Sequence, residues 1–425
     1  MIIFSIFLII IVILAIGVPV GIGLGISGIL LSMYLEGTKT LISIPQTIFS
    51  SGNSFLLSAI PLFILMSEIL KKANIIQILF DTVNKFVGNL RGGLAISTII
   101  TSAIGASITG SSVANAASMC IVAADPMIKM GYKRSFTYGL IAVSGTLGIL
   151  IPPSIPMLLF ASVTNESVGK LFLAGIIPGL VLTFILCLYV IIFPNLKSKS
   201  KKLIINYTFA EKILSIKKAI PALFLPILII GGIYAGLFTP TESAAVGVAY
   251  ALFAGFFFYK TLKIRDLFGI FRESLHSTCM ITLLIAGSMI LGHAVTSLKI
   301  GDDLIILIQQ LNLSNLEFVL AIMLLLFVIG CILEVISIIY IIVPILYPIL
   351  VSMNIDPIWF AILFVVNMEI ALITPPIGMV LYVIAGIVKR PISEVISGII
   401  PFVLVLVFFI FVLILFPQIV SILKF

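Results

Sequence analysis

Charge is scarce in this 425-residue chain: Asp, Glu, Lys and Arg together make up 9% of it, against about a quarter in soluble domains. Histidine occurs twice, at His276 and His293, too far apart along one apolar run to share a ligand. No Ser-His-Asp or metalloprotease spacing and no GxxxxGK[ST] phosphate loop occurs, which excludes ATP hydrolysis and leaves no catalytic site. The four cysteines (Cys120, Cys187, Cys279 and Cys331) stand singly in apolar segments with no CxxC spacing. They read as small buried hydrophobes, not a disulfide framework or a metal site.

What is abundant is apolar sequence. Hydrophobic residues make up 61% and the mean hydropathy is +1.36, and many runs reach the roughly 20 residues that span a bilayer. The chain is a polytopic membrane protein with an all-α fold. Its first run, Ile2 to Leu31, has no basic start and no small-residue cleavage site, so it reads as a retained span.

The sequence also repeats itself. Ile151-Pro152-Pro153 returns as Thr374-Pro375-Pro376, and Gly175-Ile176-Ile177-Pro178 returns as Gly398-Ile399-Ile400-Pro401. The offset that carries Ile151 onto Thr374 also carries Gly175 onto Gly398, and this constant register implies one unit used twice. A double proline breaks a helix, and broken backbone at membrane depth survives only in contact with protein or a polar cavity. Interruptions at matching positions of two halves point to the binding site of a transporter.

Basic residues give the orientation. Seven lysines between 197 and 218 (197, 199, 201, 202, 212, 217 and 218), opposed only by Glu211, put that connection in the cytoplasm. The same lysines suit a solvated face on anionic lipid, on the same side, and no nucleic-acid partner is expected. Residues 71–134 carry Lys71, Lys72, Lys85, Arg91, Lys129, Lys133 and Arg134. The matching stretch, about 294–357, carries only Lys299 beside Asp302, Asp303, Glu317, Glu334 and Asp356. Equivalent parts of the two copies therefore face opposite sides, and the repeats are inverted.

The resulting path has five parts. Residues 1–91 form scaffold spans (2–32, 53–71) and a cytoplasmic arm (72–91). Residues 92–193 hold a re-entrant hairpin (92–128), a span broken at Pro152-Pro153 (135–165) and a returning span (171–193). A basic linker covers 194–218. Residues 219–312 form a second scaffold with a span at 219–238, a copy start near 241, a cytoplasmic arm at 260–273, a span at 276–297 and an outer arm at 298–312. Residues 313–425 hold an outer hairpin (313–353), a span broken at Pro375-Pro376 (358–388) and a last span (391–417). The N-terminus falls in the cytoplasm and the C-terminus in the periplasm. Thr239-Pro240-Thr241-Glu242 reads as a helix cap.

The first hairpin tip, residues 105–117, has eleven small or polar residues out of thirteen. A small-residue packing face would recur every three or four positions; this block is continuous and reads as a re-entrant tip. Opposite it, the break 144–154 releases carbonyls that suit a hard cation, and the half-helix after Pro153 aims its amides at the break, where a carboxylate would sit. Two pseudo-equivalent sodium sites follow. The first uses Ser107 and Ser111 with the carbonyls of Gly148, Ile151 and Pro153; the second uses Gly330, Ala371, Thr374 and Ile377. The solute would meet Ser111, Ser112, Asn115, Ser144, Thr146 and Pro376. Mostly neutral oxygens favour sodium over protons. Glu334 and Glu369 keep a proton open, and equally suit a vestibule or a neighbouring amide.

The segments GSSVANAA (110–117), DPMIKMGYKR (125–134), SGTLGILIPPSIP (144–156), GKLFLAGIIPG (169–179), PTESAAVG (240–247) and TPPIGM (374–379) resemble the large membrane subunit of tripartite ATP-independent periplasmic (TRAP) transporters, in consistent order along nearly the whole chain. The resemblance implies a bacterial inner-membrane protein that pairs with a small four-span subunit. Here that partner would be a separate chain, since no such sequence precedes Met1. It further implies a periplasmic binding protein that delivers an organic acid (a C4-dicarboxylate, sialic acid or another sugar acid), drive by two or more sodium ions without ATP, and an elevator movement of residues 92–193 and 313–417 against the scaffold. Departures are Ala371, where the family has glycine, and Glu334, where it has aspartate. A self-sufficient sodium-coupled anion symporter of the same architecture is the alternative; a passive channel fits poorly with paired occluding hairpins.

Overall fold

The computed structural model describes residues 12–13, 16–193, 207–298 and 313–423, and every regular element among them is helical. The first copy opens with α1 (Val20–Glu36), α2 (Ser43–Gly52), α3 (Ala59–Lys72) and α4 (Ile75–Val87). Hairpin 1 is α5 (Gly93–Thr109) and α6 (Ser112–Lys129); the first broken helix is α7 (Arg134–Thr146) and α8 (Ile155–Thr164), followed by α9 (Val168–Ile192). After α10 (Phe209–Tyr234) the second copy runs α11 (Pro240–Phe253), α12 (Ile264–Ser297), hairpin 2 as α13 (Asn315–Gly330) and α14 (Val335–Ser352), the broken pair α15 (Pro357–Leu372) and α16 (Met379–Val388), and α17 (Ile392–Leu415). Among the described residues six helices have the length and composition to cross a bilayer.

The register of the sequence repeat survives in three dimensions. Moving α6 forward by the offset gives the bounds of α14, and moving the first residue of α7 forward gives that of α15. The contacts exchange as a two-fold axis requires: α7 packs on α17 while α9 packs on α15, and α6 packs on α16 while α8 packs on α14. With basic flanks on one copy and acidic flanks on the other, the two copies are inverted repeats. The Pro152-Pro153 and Pro375-Pro376 bonds are both cis.

Close backbone approach holds the bundle together where lipid offers no hydrophobic drive between helices. A Cβ added at Gly139 of α7 would collide with the Gly398 carbonyl oxygen of α17. Polar bonds tie the two scaffolds: Lys72 Nζ lies 3.6 Å from Asp266 Oδ1, and Thr241 donates to Phe55 O at 3.2 Å.

Several boundaries differ from the sequence reading. The helix expected at 219 starts at Phe209, because Thr208 and Glu211 form a capping box well ahead of that point. The arm 260–273 and the span 276–297 are one helix, α12: no proline interrupts it, and Lys263, extended and capped by Asp266, starts it. The expected span 2–32 is interrupted at Gly17 (φ +87°) and Pro19, and the helix then runs to Glu36. Residues 43–52, between the expected spans 2–32 and 53–71, are helical. Thr239 and Glu242 do form the expected cap. Residues 1–11, the lysines at 197, 199, 201 and 202, and nearly all of the outer arm 298–312 lie outside the described residues.

Candidate functional site

Each hairpin tip sits on the break of its own copy. In copy 1, α5 ends at Gly110, a left-handed turn (φ +60°) that glycine makes without steric cost. Extended Ser111 then starts α6, its hydroxyl accepting from Ala114 N at 3.5 Å. The turn reaches the break directly: Ile155 N donates to Gly110 O at 3.4 Å. Gly148 packs so close that a Cβ there would meet the Ser111 carbonyl at 2.8 Å, and a Cβ on Gly110 would meet Pro153 O at 2.9 Å. Ser111, Gly148 and Pro153 of the first expected ion site are thus brought together. Ser107, one turn back on α5, is buried and donates to Ile104 O at 2.7 Å, leaving its lone pairs available. None of the described turn or side-chain hydrogen bonds ends on the carbonyls of Gly148, Ile151 or Pro153.

Copy 2 repeats the arrangement. Ile377 N donates to Cys331 O at 3.1 Å, and a Cβ on Gly330 would lie 2.7 Å from the Ala371 methyl. Ala371 lies within α15 with helical backbone, so alanine stands there without strain. Its carbonyl already accepts from Thr374 N at 3.1 Å, and the Thr374 hydroxyl donates to Ile370 O at 2.6 Å. A carbonyl and a hydroxyl each keep a further acceptor position, so the set Gly330, Ala371, Thr374 and Ile377 retains oxygens for a cation.

The expected solute contacts divide. Ser112, Asn115, Ser144 and Thr146 are at most 2% exposed, and their donors bond to the protein, while the Asn115 Oδ1 is buried without a partner. Ser112 donates to Thr146 O at 3.0 Å; Asn115 Nδ2 donates to Ser102 O at 3.0 Å and Gly145 O at 3.2 Å. Ser102 donates to Ser144 Oγ at 3.2 Å, and Thr146 donates to Val143 O at 2.8 Å. Only Ser111 and Pro376 keep accessible surface, and Tyr382 donates to Pro376 O at 3.2 Å. The amides at the start of α8 are also partly taken, Ile155 N by Gly110 O and Met157 N by Ser154 Oγ, which narrows the room for a carboxylate there.

Sequence reasoning missed two relations that the repeat offset could have shown. Glu334 is the counterpart of Ser111 under that offset, and both begin the second helix of a hairpin from extended backbone. Glu369 is the counterpart of Thr146; its carboxyl is fully buried against the Thr146 side chain, too loosely for a well-formed hydrogen bond. Among the described residues no group of three His, Cys, Asp or Glu side chains could hold a transition metal.

Two inverted copies, each closing a short hairpin on a Pro-Pro break within an apolar helical bundle, define a polytopic membrane permease. The chain belongs to the family described as tripartite ATP-independent periplasmic transporter, DctM component, whose model matches residues 7–419; it is a TRAP transporter large permease. It is 36% identical over 389 residues to the C4-dicarboxylate TRAP transporter large permease protein DctM of Pseudomonas aeruginosa, covering 92% of this chain and 91% of that one. It is 31% identical to the sialic acid TRAP transporter large permease protein SiaM of Vibrio cholerae (88% and 87% covered). It is 33% identical to the 2,3-diketo-L-gulonate TRAP transporter large permease protein YiaN of Escherichia coli (88% of each). Among solved structures, the Alcanivorax borkumensis YdaH transporter shares the fold with a TM-score of 0.62 at 13% identity, over 91% of this chain and 90% of that one.

Proposed function

We propose that this permease imports an organic acid across the bacterial inner membrane, coupled to sodium, receiving it from a periplasmic binding protein and working beside a small four-span membrane subunit. The observation that carries the reading is the pair of tip-on-break junctions, Gly110 with Ile155 and Cys331 with Ile377. Each brings neutral oxygens to a place where helical pairing of the backbone is interrupted. Neutral carbonyl and hydroxyl oxygens suit an alkali cation, whereas a proton needs a basic atom. Ser107, Ser111, Gly148, Ile151 and Pro153 form one sodium set, and Gly330, Ala371, Thr374 and Ile377 the other. The solute carboxylate lies between them, at Ser111 and Pro376, the two candidates with accessible surface.

The relatives named for C4-dicarboxylate, sialic acid and diketogulonate share a small carboxylated solute class, and that class is what we assign here. Hairpins and broken helices (92–193 and 313–417) move together as an elevator against α1–α4 and α10–α12. The N-terminus is cytoplasmic and the C-terminus periplasmic. Uptake into proteoliposomes holding both membrane subunits, with and without binding protein and a sodium gradient, tests the reading. Accumulation that needs both supports it. Uptake of free solute by this chain alone would establish a self-sufficient symporter instead.

A further inference from the structure

The two copies stitch hairpin to break differently. In copy 1, Asn115 sits where three helices meet: it belongs to α6, and its side-chain amide reaches Ser102 O on α5 and Gly145 O on α7. Gly145 and Thr146 end α7, where the helix tightens into a single 3-10 turn over Leu147–Ile149. Asn115 and Ser112 supply donors to both. Gly105 makes room for the amide: a Cβ there would come within 2.8 Å of Asn115 Oδ1. The side chain is 0% exposed, so no water competes for it.

Copy 2 lacks the stitch. The repeat counterparts of Ser112 and Asn115 are Val335 and Ile338, both buried and apolar. There the amide comes from the broken helix, Asn367 donating to Met323 O on α13 at 2.7 Å. No described side-chain hydrogen bond joins α14 to α15. The tyrosine hydroxyls of α14 point elsewhere, Tyr340 to Ser162 at 3.4 Å and Tyr347 to Glu166 at 3.0 Å, both in copy 1, and the buried Ser337 hydroxyl has no partner.

We propose that Asn115 is a positioning residue, clamping both arms of hairpin 1 to the end of α7 so that Ser107, Ser111 and the carbonyls at Gly148, Ile151 and Pro153 are held as one preformed cradle. Hairpin 2, without this clamp, is the tip that adjusts when its site fills. The clamp follows from the geometry alone; its consequence for ion affinity rests on the sodium reading above.

Hydrogen exchange of the purified permease in lipid discs tests the clamp without transport. Asn115→Leu speeds exchange in 102–116 and 144–151 and leaves 323–338 unchanged. In proteoliposomes with both subunits and binding protein, the same variant raises the sodium concentration for half-maximal uptake about tenfold, the scale of two lost hydrogen bonds. Asn115→Ser, which keeps one donor, gives an intermediate shift and serves if the leucine variant does not fold. Wild-type exchange in both segments overturns the clamp. Faster exchange with wild-type sodium affinity overturns the positioning role. If wild-type uptake ignores sodium, the coupling reading fails while exchange still decides the clamp.

Discussion

Thr146 and Glu369, far apart in sequence, lie side by side in the fold, each fully buried. They hold the same position in the two copies, so the first halves of the two broken helices meet near the axis that relates the repeats. The Thr146 hydroxyl donates to Val143 O, and the Glu369 oxygens have no well-formed hydrogen bond.

An unpartnered acid at such a place costs stability, and removing it should show that. Glu369→Leu is expected to raise the thermal midpoint, by an amount equivalent to about 1–3 kcal/mol. Thermal unfolding in detergent reads the effect. A large loss of stability would mean that the carboxyl is partnered in the membrane-embedded protein.

The ion sites predict a selective defect. Ser107→Ala and Thr374→Val each remove one oxygen from a proposed sodium set, and each should raise the sodium concentration for half-maximal uptake by roughly 3- to 30-fold. Size-exclusion profiles and thermal midpoints should stay near wild type. Wild-type sodium response in both variants would falsify the ligand assignment.

Packing sites give a contrast between two glycines. A side chain at Gly139 meets the Gly398 backbone, which cannot move aside, so Gly139→Val should cost at least about 1–3 kcal/mol and lower the yield of folded protein. Gly386 on α16 has nothing within 4 Å of an added Cβ, so Gly386→Ala should be neutral or gain about 0.5–1 kcal/mol. Fluorescence-detected chromatography after heating separates the two.

Inversion is tested by accessibility. Single cysteines at Lys129 and Asp356, in a background lacking the four native cysteines, are expected to react with impermeant maleimide from opposite sides of right-side-out vesicles, the Lys129 site only after permeabilisation. Labelling of both from one side removes the two-fold relation.

Much of the fold was legible because breakers and periodic matches are local. Pro152-Pro153 and Pro375-Pro376 marked the broken helices, and the constant repeat register located both hairpins. Helix starts were less legible where a cap acts ahead of the apolar run: Thr208 with Glu211 begins α10 inside what composition marked as a basic linker. At the site, neighbours such as Gly148 and Ser111 follow from the break meeting the tip. The fate of Ser112, Asn115 and Ser144 did not, because a polar residue reads the same whether it faces a solute or a carbonyl on another helix.

The sequence by itself determined the membrane class, the duplication, its inversion and the two interruptions, since each depends on hydropathy, charge or backbone chemistry carried by neighbouring residues. Only the tertiary structure decided which oxygens stay free. Three helices converge on the Asn115 amide, and one buried acid meets its repeat counterpart, Thr146. Hydrogen-bond satisfaction is a property of groups distant along the chain, and no local pattern carries it.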